Sequence, residues 1–303
     1  MLFRSKEEEN AVRKWVQSFY TPYQIDTKQN SIHKAIKYSF ASINAKNDSN
    51  SLTSIYDSQS YDQIRPILTK LFDHELFSSW NKTKRSIHSK DSTVKSVFAA
   101  YIKFDRIKKQ IERVSFKDPT EDINLFEEVL GLRLSRYIQK ISHGDLHSEN
   151  VIVDNSESDP HVFLIDFGLT DARHSLIDYV TLEASIRFRL LPFFLPTKRI
   201  AEQDENFIDR FNVTDASFQS IENQELKKCF ICINHIRTIA ERNALGGEIN
   251  YYSNDEFKFH YLVALFCISL RQIQFREMNQ KYAIILCRIL SQRINSSSAS
   301  FTE

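Results

Sequence analysis

Apolar residues recur at helical spacing along most of the chain and at strand spacing in only a few places. Between Glu7 and Tyr20, Ala11, Val12, Trp15, Val16 and Phe19 share one face of a 3.6-residue repeat. Acids occupy the first turn, where the helix dipole favours them. Ile64–Trp80 predicts a second helix, with Ile67, Leu68, Leu71, Phe72, Leu76 and Trp80 on one side. A third is predicted near Val94–Val114, with an uneven stripe, and a fourth over Leu125–Ser142. Ile32–Ser42 predicts a strand, and Ala45–Ser60, rich in Asn, Ser and Asp, a loop running into a polar helix start. Beyond residue 175 the pattern is helical: Leu176–Leu190, Leu226–Arg242, Asp255–Phe275 and Met278–Arg293, with Pro192 and Pro196 ending the first of these. Tyr261–Leu270 is an unbroken, largely apolar run of ten residues. A membrane-spanning helix needs about 20, so the run predicts a fully buried core helix.

Two runs break the helical pattern. Val151–Val153 and Val162–Ile165 are β-branched or aromatic, and the turn-rich stretch Asp154–His161 separates them. This is the signature of a β-hairpin. Strands of similar length folded back on each other return the chain to its starting end. Asn150, just before the first strand, should therefore meet Asp166, just after the second, with Asp145 in the loop that leads in. Each of the three is also a common turn or cap residue; their joint spacing around a hairpin is what points to a site. Hard oxygen ligands suit Mg²⁺, which takes few protein ligands and completes its shell with water and phosphate. Asn150 and Asp166 would hold the metal, and Asp145 would accept a proton from a substrate hydroxyl or orient it. That is the division of labour in phosphoryl transfer, where positioning and charge neutralisation do most of the catalysis.

Composition narrows the classes. The 303 residues are 42% hydrophobic and 26% charged, and 40 Lys+Arg against 39 Asp+Glu give a net charge of +1. Such a chain folds, and bulk charge gives it no pull towards nucleic acid or a membrane. There are five glycines, and the first is Gly131. A Gly-rich phosphate loop is therefore excluded from the first 130 residues, and with it a dinucleotide fingerprint or P-loop there. Cys229 and Cys232 form a CxxC with His235 three residues on, but no second CxxC completes a zinc set. With Cys267 and Cys287 they read as buried helix cysteines of a cytoplasmic protein. The N-terminus, MLFRSKEEEN, has no signal-peptide apolar region. Lys82–Lys117 holds 11 Lys/Arg and 3 Asp/Glu, and Asp118–Glu128 then holds five acids and no base. The basic stretch reads as a solvated face that the acidic one can neutralise. Glu183 and Arg187 read as an i,i+4 surface pair.

The stretch His143–Asn150 (HGDLHSEN), followed by Val151-Ile152-Val153 and then Leu164–Gly168 (LIDFG), resembles the protein-kinase superfamily. It is most similar to the branch of aminoglycoside phosphotransferases and choline kinases, whose loop reads HGDLHxxN. His147 stands where protein kinases place a Lys. His174–Phe188 and the helices over Leu265–Leu290 resemble bacterial ternary complex associated domains, phosphotransferase-like domains of signalling and conflict proteins. The resemblance spans about residues 50–293 and is specific over 141–188.

It implies an α+β, mainly helical protein: a kinase-like large lobe with a catalytic-loop β-hairpin, and an incomplete small lobe. By it, Asp145 is the catalytic Asp, Asn150 and Asp166 are the metal ligands, Asp178 braces the catalytic loop, and His143 and His147 support it. ATP and Mg²⁺ are the implied cofactors. The family's Gly-rich turn and strand-borne phosphate-gripping Lys are not found. Glu7–Tyr20 then corresponds to the small-lobe helix, Lys34–Ser42 to its last strand and hinge, and Ile64–Trp80 to the first large-lobe helix. The expected organisation is a small-lobe remnant over 1–45, a large lobe over 46–294 and a disordered tail over 295–303, in a chain that begins partway through the small lobe or relies on a protein partner for it. The expected function is ATP- and Mg²⁺-dependent phosphoryl transfer to a hydroxyl of a small molecule or other partner. The alternative is a catalytically inactive kinase-like binding or scaffold module. No membrane or nucleic-acid partner is implied.

Overall fold

The computed structural model describes residues 2–3, 25–29, 34–38, 49–73, 75–114, 118–155, 159–191, 195–246 and 251–298. The expected helix Glu7–Tyr20 and the hinge after residue 38 lie outside the described residues. The strands are β1 (Leu2–Phe3), β2 (Ile25–Gln29), β3 (Lys34–Tyr38), β4 (Ser49–Ser51), β5 (Arg85–His88), β6 (Arg136–Ser142), β7 (Val151–Asp154), β8 (His161–Leu164) and β9 (Asp171–His174). They form three antiparallel sheets, ordered β1-β3-β2, β4-β7-β8 and β5-β6-β9. The helices are α1 (Leu52–Ser58), α2 (Tyr61–Asp73), α3 (Glu75–Asn81), α4 (Val94–Val97), α5 (Phe104–Val114), α6 (Pro119–Gly131), α7 (Ile177–Ser185), α8 (Thr197–Phe207), α9 (Gln224–Leu245), α10 (Asn254–Gln272) and α11 (Gln280–Ser298). The fold is thus α+β and mainly helical, and no described helix is long and apolar enough to cross a membrane.

Several expectations need correction. The predicted helix Leu125–Ser142 ends at Gly131, and Arg136–Ser142 is a strand. Its buried residues alternate, with Ile138, Lys140 and Ser142 facing in. That period of two lets β6 pair with β5 on one side and β9 on the other, which a helix could not do. The single helix expected over Val94–Val114 is two, interrupted at Phe98–Lys103, and β5 precedes them. The stretch Ala45–Ser60, expected as a loop running into a polar helix start, contains strand β4 and then α1; Ser51 caps α1 by accepting from the Ser54 amide. Helix α11 continues to Ser298, and residues 299–303 lie outside the described residues. Strand β2 and helix α8 were not expected at all.

Helix α10 is buried from Phe259 to Leu270 and packs along α11. Ser253 and Glu256 close its N-terminus with a reciprocal capping box. Glu256 also pairs with Arg136 at 2.7 Å, which ties β6 to this helix. The acidic and basic stretches meet at Lys108 and Glu127, 2.5 Å apart. All four cysteines are free and buried, and burial pushes the Cys232 thiol up to about 12. His235 bonds Thr69 of α2 at 2.8 Å, across the interface between α2 and α9.

The largest departure concerns α7 and the single π turn that continues it over Ile186–Leu190. Every residue from His174 to Phe188 is buried. Glu183 and Arg187 are therefore no surface pair, being 0% and 2% exposed. Arg237 of α9 grips the Glu183 carboxylate with two bonds, Nε to Oε2 at 2.9 Å and Nη2 to Oε1 at 2.7 Å. Arg187 Nε donates to Glu183 at 2.9 Å, and Tyr261 of α10 donates to it at 2.8 Å. Arg187 also pairs with Asp204 of α8, which accepts from Tyr282 of α11 at 2.7 Å. Two arginines and two carboxylates balance, which is how four charges survive in the interior. Burial pushes the Glu183 carboxyl up, but Arg237 and Arg187 outweigh it and hold it below its ordinary value. The cluster joins α7 to α8, α9, α10 and α11.

Two outcomes follow. Glu183→Ala leaves Arg187 and Arg237 buried with one carboxylate between them and should cost about 3–5 kcal/mol in denaturant unfolding. Lys140 is 1% exposed, its one hydrogen bond among the described residues goes to Asn81 Oδ1 at 2.9 Å, and burial lowers its amine to about 8. A folded value below the unfolded 10.5 makes this group's share of stability complete above pH 10.5 and lost as pH falls through about 8. Lys140→Met should therefore raise the melting temperature at pH 7, with the gain shrinking as pH rises from 8 to 10.5. A gain independent of pH would contradict the buried-ammonium explanation.

Candidate active site

Strand β6 delivers the chain into His143–His147, and Gly144 makes the turn possible. Its φ is +81°, and a Cβ there would meet the Leu169 carbonyl oxygen at 2.4 Å. Only glycine fits. The turn is then clamped by Asp178 in the first turn of α7. Asp178 is fully buried and accepts from two successive amides, His143 N at 3.0 Å and Gly144 N at 2.9 Å.

A 3₁₀ turn over Ser148–Asn150 leads into the hairpin. Ser148 is buried; its amide donates to Ser185 Oγ of α7 at 3.0 Å, and its hydroxyl lies 2.7 Å from Thr53 of α1. Asn150 Nδ2 donates to the Asp145 carbonyl at 2.9 Å. The hairpin β7–β8 pairs Val151 with Leu164 and Val153 with Val162. One step beyond that register, Ile165 N donates to Asn150 O at 3.1 Å, so Asp166 is the residue next to Asn150's partner. His143 closes the ring of contacts. Its Nε2 lies 2.9 Å from the Ile165 carbonyl, which requires the Nε2–H tautomer. Its ring packs beside Phe167, with centroids 5.1 Å apart. The backbones carrying Asp145, Asn150 and Asp166 are thus tied together by Asn150 and His143.

Asp166 adopts a left-handed conformation, φ 60° and ψ 62°. Asp is among the few residues with a side chain that visit this region, at a cost of order 1–3 kcal/mol. The Asp166 side chain is exposed and has no hydrogen bond or ion pair with another described residue. Asn150, with its Nδ2 committed to Asp145, keeps Oδ1 as an oxygen donor. One carboxylate and one amide oxygen fit Mg²⁺ chemistry, in which water and phosphate complete the shell. Among the described residues no group of three or more His, Cys, Asp or Glu side chains forms a cage made of protein ligands alone.

Asp145 is half-buried and pairs with Arg271, Nη1 to Oδ1, at 3.0 Å. Arg271 lies in the last turn of α10, and its guanidinium lies over the Tyr101 and Phe275 rings at 5.7 and 5.8 Å. The sequence reading missed it; its one signal is that it is the first charge after the apolar run Tyr261–Leu270. Beside Asp145 opens a cleft of about 180 Å³, whose walls include His147, Thr181, Arg189 and Phe275. Burial lowers the His147 imidazole below its ordinary value, only partly opposed by Asp145. Ser148 and Ser185, which dock the 3₁₀ turn on α7, were also missed, since a serine pair leaves no pattern in a sequence.

No family model and no curated protein sequence matches this chain. Among solved structures, a glucosamine kinase superposes with a TM-score of 0.50 over 96% of this chain and 68% of its own, at 9% identity. A choline kinase from Streptococcus pneumoniae aligns over 98% of this chain and 81% of its own at 15% identity, with a TM-score of 0.37. An ethanolamine kinase from Plasmodium vivax aligns over 96% and 71% at 12% identity, with a TM-score of 0.36. At such identities the glucosamine kinase superposition speaks for architecture alone. With the loop, hairpin and helical bundle described above, it shows that the chain has an α+β, mainly helical, kinase-like fold.

Proposed function

We propose that this protein is an ATP- and Mg²⁺-dependent phosphotransferase acting on a hydroxyl group, with residues 46–294 as its large lobe and residues 1–45 as part of a small lobe. The observation that carries this reading is the mutual tethering of Asp145, Asn150 and Asp166 at one end of the β7–β8 hairpin. Asn150 and Asp166 would hold the metal. When bound, the cation supplies charge neutralisation on the phosphates. Asp145 would accept or orient the hydroxyl proton of the acceptor. His143 and Asp178 act as positioning residues: Asp178 fixes the turn before Asp145, and His143 holds that turn against the strand end before Asp166. His147 hydrogen-bonds through its backbone amide to the Asp145 carbonyl at 2.9 Å and keeps the loop compact. The transfer itself is then a matter of orientation, worth about 7–11 kcal/mol of barrier when fully realised.

A second reading, a kinase-like binding or scaffold module, is favoured by two specific observations. Asp145 is already engaged by Arg271, and the sequence carries no glycine before Gly131 to cover a nucleotide. Thermal melts with Mg·ATP and a turnover assay separate the two. Under the phosphotransferase reading, Mg·ATP at 100 times its Kd should stabilise the fold by about 2.7 kcal/mol, and Asp166→Ala should abolish that gain without unfolding the protein. Turnover should fall about 10²–10⁴-fold on Asp145→Asn, which keeps the shape and removes the carboxylate. Nucleotide binding with no turnover under any acceptor would favour the scaffold module. Asp178→Asn replaces one acceptor oxygen with an NH₂ that faces an amide donor. It should cost about 1–3 kcal/mol of stability, and it should reduce turnover at temperatures where the variant remains folded.

A further inference from the structure

We propose that the molecule bound beside Asp145 is an anion: an alcohol that also carries a phosphate or carboxylate group. The proposal rests on the phosphotransferase reading and adds the class of its acceptor. The cleft of about 180 Å³ holds one carboxylate, Asp145, and two guanidiniums, Arg189 and Arg271. Arg271 is matched by Asp145. Arg189 is exposed and has no hydrogen bond or ion pair with another described residue. The described walls therefore carry one uncompensated positive charge.

Arg189 and Arg187 sit two positions apart in the π turn after α7, and the turn sends them to opposite sides. Arg187 enters the interior and is consumed by Glu183 and Asp204. Arg189 is left facing the cleft. π turns inside helices often mark functional positions. His147 and Thr181 add polar side chains to the same walls. Phe275 supplies an apolar wall for a short carbon skeleton.

Charge decides between occupants. At short range and in a reduced dielectric, a guanidinium repels an ammonium group and attracts an anion with equal strength. Asp145 offsets Arg271, so a cationic amino alcohol would meet the net repulsion of Arg189. An anionic group reaching Arg189 and Arg271 competes with Asp145 for the second guanidinium and frees the carboxylate at the moment an acceptor is present. In the transfer, the acceptor oxygen bonds the γ-phosphorus, the bond from that phosphorus to the ADP oxygen breaks, and the hydroxyl proton passes to Asp145.

The test is calorimetric titration of the full chain with four probes at fixed ionic strength: glycerol 3-phosphate, glycerate, glycerol and choline. Mg·ATP is titrated separately. At least one of the two anions should bind with a Kd of about 1 mM or below, with glycerol and choline at least about tenfold weaker. The stronger anion identifies phosphate or carboxylate as the recognised group. Arg189→Gln should weaken the anions about tenfold or more. Failure of both anions to bind, choline binding as tightly as either, or anion binding indifferent to Arg189→Gln would each overturn the proposal. Mg·ATP binding together with a preference for choline would overturn the anion assignment and leave the phosphotransferase reading intact. Anion binding without any Mg·ATP binding would do the reverse.

Discussion

Asp178 reaches out of a helix buried on every side to take the amides of His143 and Gly144, and the conformation of the candidate catalytic loop hangs on that pair of bonds. A carboxylate accepting two successive N–H groups fixes both peptide planes at once. Gly144 must then bend at φ +81° beneath the Leu169 carbonyl, and the chain leaves the turn with Asp145 at the cleft. The clamp is only as rigid as α7. That helix is immobilised by the Glu183, Arg187, Asp204 and Arg237 cluster, which reaches four other helices. One buried polar segment therefore couples the helical bundle to the loop. The same segment supplies Ser185 to dock the turn before Asn150, and Thr181 and Arg189 to the cleft.

This arrangement puts large desolvation costs in the protein's centre. A bundle of this size could be held together by apolar packing alone, and replacing buried ion pairs by hydrophobic residues is often neutral or stabilising. Directionality is what charges add. Arg187 and Arg237 fix the rotation of α7 about its axis through hydrogen bonds on the Glu183 carboxylate. That rotation decides whether Asp178 points at the loop and whether Arg189 faces the cleft. An apolar helix of the same length could turn by several degrees with little penalty, and the loop would turn with it.

The hairpin was legible because its signal is local: two β-branched or aromatic runs with a turn-rich spacer, each too short for a helix. Helices α7, α9, α10 and α11 were legible for the same reason, since their apolar positions repeat over several turns; α8 was not. Strand β6 was not. Its residues, Arg136–Ser142, follow a good helix and contain Lys140, whose charge argues for exposure; its alternation shows only once neighbours β5 and β9 stand on either side. The Glu183–Arg187 spacing suits an exposed helix pair equally well, and only the tertiary partners Arg237, Asp204, Tyr261 and Tyr282 make it an interior one. Asp145, Asn150 and Asp166 could be singled out because they flank the hairpin. Arg271 and Arg189 could not, because the cleft is assembled from three separate segments, 145–147, 181–189 and 271–275, that only the fold brings together.

The central claim is that the hairpin end binds a metal–nucleotide complex between Asn150 and Asp166, with Asp145 facing the acceptor cleft. A crystal of the protein grown with Mn²⁺ and a non-hydrolysable ATP analogue tests it most directly, because manganese is located by its anomalous scattering. The account predicts an anomalous peak coordinated by Asn150 Oδ1 and the Asp166 carboxylate, with the analogue's terminal phosphate directed towards Asp145. A nucleotide bound elsewhere on the chain, or manganese that avoids both residues while the nucleotide is present, would contradict it.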